Sequence, residues 1–284
     1  MAEHTDIGAS GRLTLAGMPI GQPLDASPRL RVALEDSPII AAEDTRRLRR
    51  LASELKLDIG RARVLSYFEG NERGRAPQLL EELKQGVDVL LVTDAGMPGV
   101  SDPGYRLVAG CVQADIPVTV IPGPSAVTAA LAVSGLPTDR FCFEGFPPRK
   151  GQARRFEALA REPRTMVFFE SPRRLGPTLD AMATAFGPNR SAVVCRELTK
   201  TFEEVRRGSL AELATWAHEG VRGEITLVVA GDTGEERGPV TVEALAKAVA
   251  EREEEGTHRK QAIAEVAKET GVPKREVYDA VHKG

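Results

Sequence analysis

Short apolar runs alternate with amphipathic stretches along most of the chain. The run at 87–92, VDVLLV, predicts a strand buried on both faces. Runs at 13–16, 39–42, 64–66 and 117–121 predict four more strands. Ser27-Pro28 supplies a cap and a first-turn proline for a short helix. Residues 45–55 predict a helix with Arg46, Arg47, Arg49 and Arg50 along one side. Residues 73–85 predict another, with Leu79, Leu80 and Leu83 on its core face and Gly86 as its stop. A further helix is expected at 105–114. Pro122-Gly123-Pro124 then interrupts the pattern as a stiff joint between domains.

Beyond the joint, 125–134 (SAVTAALAVS) reads as a small-residue helix that can pack close to its neighbours. A second series of strands follows at 141–144, 165–170, 191–196, 203–208 and 224–231, with helices at 152–161, 173–186 and 210–218. Two five-strand units on either side of Pro-Gly-Pro predict a bilobed α/β protein with a cleft between its domains, 13–122 and 123–232. Residues 1–12 read as a flexible extension and 232–239 (DTGEERGP) as a polar linker. Residues 240–284 are helical throughout, with Val242, Leu245, Ala246 and Val249 as the first apolar face. The spacing around Gly271 has the shape of a helix-turn-helix. A purely structural hairpin fits that spacing as well.

The predicted strand at 87–92 runs into TDAGMPGVSDPG, a loop with three glycines and two prolines. In open α/β sheets ligands sit beyond the carboxyl ends of strands, where glycine lets bare backbone approach them. The chain holds neither G-x-G-x-x-G nor G-x-x-x-x-G-K-[ST], so the loop is not a dinucleotide or P-loop site by pattern. Asp94 and Asp102 repel phosphates but accept hydrogen bonds from hydroxyl and amino groups. A ligand with ribose-like hydroxyls and a cationic centre, such as S-adenosylmethionine, suits it better than a polyphosphate. A merely structural turn is the competing reading.

Composition narrows the partners. The 284 residues carry a net charge of −3, so nucleic-acid binding requires a local basic patch. Aromatic residues make up only 5%, which points to recognition through phosphates and shape rather than extensive base stacking. The three cysteines and four histidines are scattered, which predicts free thiols in a reducing cytoplasm and no metal site. No apolar run reaches the roughly 18 residues that a membrane helix needs.

Eight segments together carry a family resemblance. They are LAGMPIGQPLDA (15–26), AAEDTRR (41–47), TDAGMPGVSDPG (93–104), IPGPSAV (121–127), FEGFPPRKG (143–151), FFESPRR (168–174), RELTKTFEE (196–204) and Arg207-Gly208. In order and spacing the chain resembles the 16S ribosomal RNA 2′-O-ribose methyltransferases of the tetrapyrrole-methylase superfamily. It departs from that pattern at Met18 and Met97, where the family carries threonine. Those changes remove two hydroxyls and leave backbone contacts available.

The resemblance implies S-adenosylmethionine in the cleft and methylation of a cytidine ribose in the decoding region of 16S rRNA. It places Asp94, Ala95, Gly96 and Met97 against the cofactor, with Pro19 in the first motif. Ser125 and Ala126 would close one side, Phe169 and Leu198 would pack near the adenine, and Glu224 and Ile225 would border it. It also implies a homodimer that works on the small ribosomal subunit in the cytoplasm. A 2′-hydroxyl is a weak nucleophile, so a base or an alkoxide-stabilising charge helps. The strand-end acids Glu43, Asp44 and Glu170 are candidate bases, and Lys200 or Arg173 could offset developing charge. Arg46, Arg47, Arg149, Lys150, Arg173 and Arg174 are the candidate RNA contacts, although each alone fits a solvated face equally well. Two rivals remain: a superfamily methylase acting on a tetrapyrrole or a protein side chain, and a non-catalytic regulator that binds nucleic acid through its helical tail.

Overall fold

A computed structural model describes residues 10–234, 241–270 and 272–283. The expected extension at 1–12 and linker at 232–239 therefore lie largely outside the described residues, as does Gly271. The chain divides into two compact units, Met1–Gly231 and Asp232–Gly284, and both sheets belong to the first.

The first sheet forms from β1 (Leu13–Ala16), β2 (Ile39–Ala42), β3 (Arg63–Ser66), β4 (Val89–Val92) and β5 (Val118–Ile121). Its order is β3-β2-β4-β1-β5 and every pair is parallel. The connecting helices are α1 (Pro28–Asp36), α2 (Thr45–Leu55), α3 (Glu72–Lys84) and α4 (Tyr105–Gln113). The Ser27 side chain accepts from Leu30 N–H, so the serine caps α1 as its position before proline predicts.

Alternate residues of the central strands face opposite layers. Leu13, Val89 and Leu91 pack with Leu79, Leu83 and Leu107 of α3 and α4. Ala16, Leu90 and Val92 pack with Leu30, Leu34 and Leu48 of α1 and α2. That two-sided cover explains why 89–92 is apolar without alternation.

The second sheet has the order β6-β7-β10-β8-β9. Its strands are β6 (Phe141–Gly145), β7 (Thr165–Glu170), β8 (Ser191–Arg196), β9 (Glu204–Ser209) and β10 (Ile225–Val229). Only β6 and β7 run parallel, and the other pairs are antiparallel. The seven residues between β8 and β9 are too few for a helical crossover, so the chain turns straight back. One face packs on α6 (Gln152–Leu159), α7 (Leu175–Phe186) and α8 (Leu210–His218). The other packs on α5 (Ala126–Ser134), whose Val127, Ala130 and Leu131 meet Val167, Val193 and Val228.

The Pro-Gly-Pro joint is pinned. A Cβ on Gly123 would lie 2.6 Å from the Gly17 carbonyl oxygen, and Gly17 N–H donates to Ile121 O at 3.0 Å. Only glycines allow β1 and the joint to approach this closely.

The second unit comprises α9 (Val242–Glu254), α10 (Arg259–Thr270) and α11 (Lys274–Lys283). Leu245, Val249, Ala262, Val266, Val277 and Ala280 form its core. Val242, expected on the apolar face of α9, is exposed because it sits in the first turn.

Candidate active site

The carboxyl ends of β2 and β4 adjoin in the sheet, and their trailing acids lock together. Asp94 N–H donates to Glu43 Oε2 at 3.1 Å, and Asp44 N–H donates to Asp94 Oδ1 at 3.0 Å. Arg47, one turn into α2, places Nη1 3.3 Å from Asp94 Oδ2. The loop after β4 then folds back on the loop after β1: Met18 N–H donates to Gly96 O at 2.8 Å, and Gly96 N–H returns to Met18 O at 3.1 Å. Gly96 sits at φ +72° and Gly99 at φ +84°, which is why this bend needs glycine. Met18 is therefore held through its backbone, and a hydroxyl is not required for the clasp.

These loops and the strand ends of the second sheet enclose a cavity of about 430 Å³, within the range of small-molecule sites. Glu43, Arg47, Asp94 and Asp102 line one side, and Phe146, Phe169, Glu224 and Thr226 line the other. Phe169 is gripped by Phe143 at 4.9 Å between ring centres and by Phe146 at 5.5 Å. The acid wall is electrostatically loaded. Burial, reinforced by the charges of Glu43 and Asp94, pushes the Asp102 carboxyl up to about 7. Burial also lifts Glu43, against the hydrogen bond it accepts from Asp94 N–H.

The structure brings most of the expected cofactor residues together. Asp94, Ala95, Gly96, Met97, Ser125, Ala126, Phe169, Glu224 and Ile225 all line the cavity. Pro19 and Leu198 do not. Pro19 is buried beside Ile20, which lines the wall instead, and Leu198 belongs to the core around α5. Phe146, Ser171, Pro172, Gly223 and Thr226 line it without having been singled out. Phe146 lies inside the quoted FEGFPPRKG segment, where an aromatic before two prolines was the available signal.

The candidate bases separate. Asp44 is the N-cap of α2: it accepts from Arg46 N–H at 2.8 Å and from the Arg46 guanidinium at 2.8 and 3.1 Å. Those bonds hold its carboxyl well below the usual range, and it is not part of the cavity wall. Glu170 lines the cavity and is buried, but its oxygens are taken. They accept from Ser171 N–H at 2.7 Å and Thr178 Oγ1 at 2.7 Å, and Arg174 lies 3.5 Å away. Lys200 stands behind the wall, 2.9 Å from Glu197 and 3.0 Å from Glu224. Burial opposes its charge, but those two carboxylates carry its ammonium above the usual range.

The expected RNA contacts divide in the same way. Arg149, Lys150 and Arg173 are exposed. Arg174 instead donates to the Pro147 carbonyl at 2.9 Å and the Pro148 carbonyl at 3.3 Å, so it pins the Arg149-Lys150 loop beside its own turn. Arg46 is exposed but clasped by Asp44, and Arg47 faces the cavity. Among the described residues no group of acids, histidines and cysteines could hold a metal ion, and no helix is long and apolar enough to cross a membrane.

Known proteins resemble this chain over most of its length. The family model of Tetrapyrrole (Corrin/Porphyrin) Methylases matches residues 12–214. A Ribosomal RNA small subunit methyltransferase I from Mycobacterium tuberculosis (strain CDC 1551 / Oshkosh) is 53% identical over 276 residues, covering 96% of this chain and 95% of that protein. A protein of the same name from Synechocystis is 41% identical over 94% of this chain and 96% of its own length. Among solved structures, uroporphyrin-III C-methyl transferase from Thermus thermophilus complexed with S-adenyl homocysteine superposes with a TM-score of 0.54 at 20% identity. It covers 78% of this chain and 97% of its own.

Proposed function

Since the chain belongs to the tetrapyrrole methylase family, and within it to the ribosomal RNA small subunit methyltransferase I proteins, we propose that it methylates the ribose 2′-oxygen of a cytidine in 16S rRNA, with S-adenosylmethionine as donor. The observation that carries this reading is the cavity itself. It faces a wall of acids across from two phenylalanines, and an arginine stands at its edge.

The residues present fit such a donor. The Glu43, Asp94 and Asp102 carboxylates suit a sulfonium, an ammonium and ribose hydroxyls, and they disfavour a phosphate. Phe146 and Phe169 offer flat apolar surface to an adenine. When bound, the donor supplies a methyl group already activated by its positive sulfur. The protein's remaining task is alignment, worth about 7–11 kcal/mol at best. Ser125 and Ala126 close the cavity beside the glycine bend and exclude water there. In this reading Asp102 takes the proton leaving the ribose hydroxyl; in support, it lines the cavity, burial pushes its carboxyl up to about 7, and no described residue donates a hydrogen bond to it. Glu170 acts through others, bracing Thr178, Arg174 and the Arg149-Lys150 loop. Arg149, Lys150 and Arg173 supply local positive surface for phosphates on a chain of net charge −3.

The same reading includes a cytoplasmic homodimer. Val118 and Val120 leave an apolar edge on β5, at 37% and 47% exposure, that a second copy would cover. A tetrapyrrole substrate is the weaker reading, since relatives matching nearly the whole chain are named for ribosomal RNA. Titration calorimetry with S-adenosylmethionine and its demethylated product tests the donor. Uptake of both is expected, and uptake of neither overturns the proposal.

A further inference from the structure

The helical unit at the C-terminal end has a surface that the methyl-transfer site does not use. A groove of about 640 Å³ runs between α10 and α11. Arg259, Lys260, Lys274 and Arg275 line it together with Tyr278 and His282, and among the described residues no acid does. This is local, because α9 in the same unit carries Glu243, Glu251, Glu253 and Glu254. Arg259 is tethered to Glu253 at 2.7 Å. Among the described residues Lys260, Lys274 and Arg275 have no ion-pair partner.

The groove also displays a flat surface. Tyr278 is 51% exposed and stacks on His282, with ring centres 4.0 Å apart and planes 21° apart. His282 Nδ1 lies 2.8 Å from the Tyr278 carbonyl, which can only accept, so this nitrogen donates and fixes the ring in the stack. Exposed aromatic faces between unpaired cations are the chemistry that holds single-stranded nucleic acid: cations neutralise phosphates, and a ring receives an unstacked base. The first turns of both helices open here, which adds the positive ends of two peptide dipoles.

We propose that this groove is an RNA-binding site, separate from the cavity, that takes an unpaired segment of the RNA substrate. This rests on the reading that the substrate is ribosomal RNA.

The test uses the full chain and a labelled single-stranded 16S rRNA fragment, with affinity read by fluorescence anisotropy across salt. Each phosphate contact to a single strand adds about 0.7 to the slope of log affinity against log salt. The triple variant K260Q/K274Q/R275Q should therefore show a slope shallower by about 2. Over a four-fold rise in salt the wild type then loses about 16-fold more affinity than the variant. K260R/K274R/R275R should bind as the wild type does. Y278A should weaken binding roughly five-fold or more without changing the slope. Equal slopes and affinities for the wild type and the glutamine variant would overturn the proposal, as would weak binding by the arginine variant. Far-UV circular dichroism of every variant reports folding of the helical unit, and calorimetric uptake of S-adenosylmethionine, run in parallel, reports the first unit. Loss of uptake in the wild type would strike the enzymatic reading and leave the salt slopes to judge the groove.

Discussion

Replacing Asp102 with asparagine probes the acid wall most sharply. In the folded protein this carboxyl titrates at about 7, against an ordinary value of 3.8. The folded state thus holds a proton that the unfolded state releases, and stability must fall as pH rises from about 4 to about 7. Above pH 7 the cost is complete and constant. Three pH units correspond to a ceiling of about 4 kcal/mol. Water in the adjoining cavity relaxes around the charge, so the expected cost is roughly half of that, about 2 kcal/mol. Asp102→Asn keeps the shape and removes the charge. At pH 8 the variant should be more stable than wild type by about 2 kcal/mol, and near pH 4 the two should converge. Urea unfolding at a series of pH values measures this. Methyl transfer by the same variant should fall well below wild type, because the group that holds the proton is gone. Parallel stability curves from pH 4 to 8 would refute the electrostatic reasoning, and wild-type turnover would remove Asp102 from the chemistry.

Three further outcomes follow from the geometry. Glu170→Gln should cut turnover sharply while cofactor uptake persists, because an amide cannot accept from Ser171 N–H, Thr178 and Arg174 together; turnover and calorimetry on one preparation check it. Arg47→Gln should raise the KM for rRNA and leave stability within about 0.5 kcal/mol, since the pair with Asp94 is largely solvated; kinetics and urea melts separate the two effects. Gly123→Ala should cost about 1–3 kcal/mol, because its Cβ meets backbone that cannot yield; a denaturant midpoint reads this directly.

The first sheet was legible because parallel strands covered on both faces leave unbroken apolar runs. Val89–Val92 begins and ends within two residues of the predicted run. The bend from Asp94 to Met97 was legible from its glycines behind a buried strand, whereas Ser125 and Phe169 came only from the family resemblance; all of them line the cavity. The antiparallel character of the second sheet was less so, since periodicity carries no strand direction. Asp44 illustrates the limit for chemistry. An acid before a basic helix fits both a base and a cap, and only the bonds from Arg46 decide between them. Lys200 and Leu198 follow the left-handed residue Glu197, and a backbone reversal of that kind is invisible to pattern. The Asp102 shift arises from burial and from the meeting of two segments, the one with Glu43 and the loop that carries both Asp94 and Asp102, and neither signals it alone.

The central claim is tested most directly by incubating the purified chain with small ribosomal subunits lacking ribose methylation and with S-adenosylmethionine labelled on its methyl group. The account predicts label in 16S rRNA, at one cytidine, within a dinucleotide that resists alkaline hydrolysis because its 2′-oxygen is blocked. Label on a base, label on a protein, or label only on an added tetrapyrrole would contradict it.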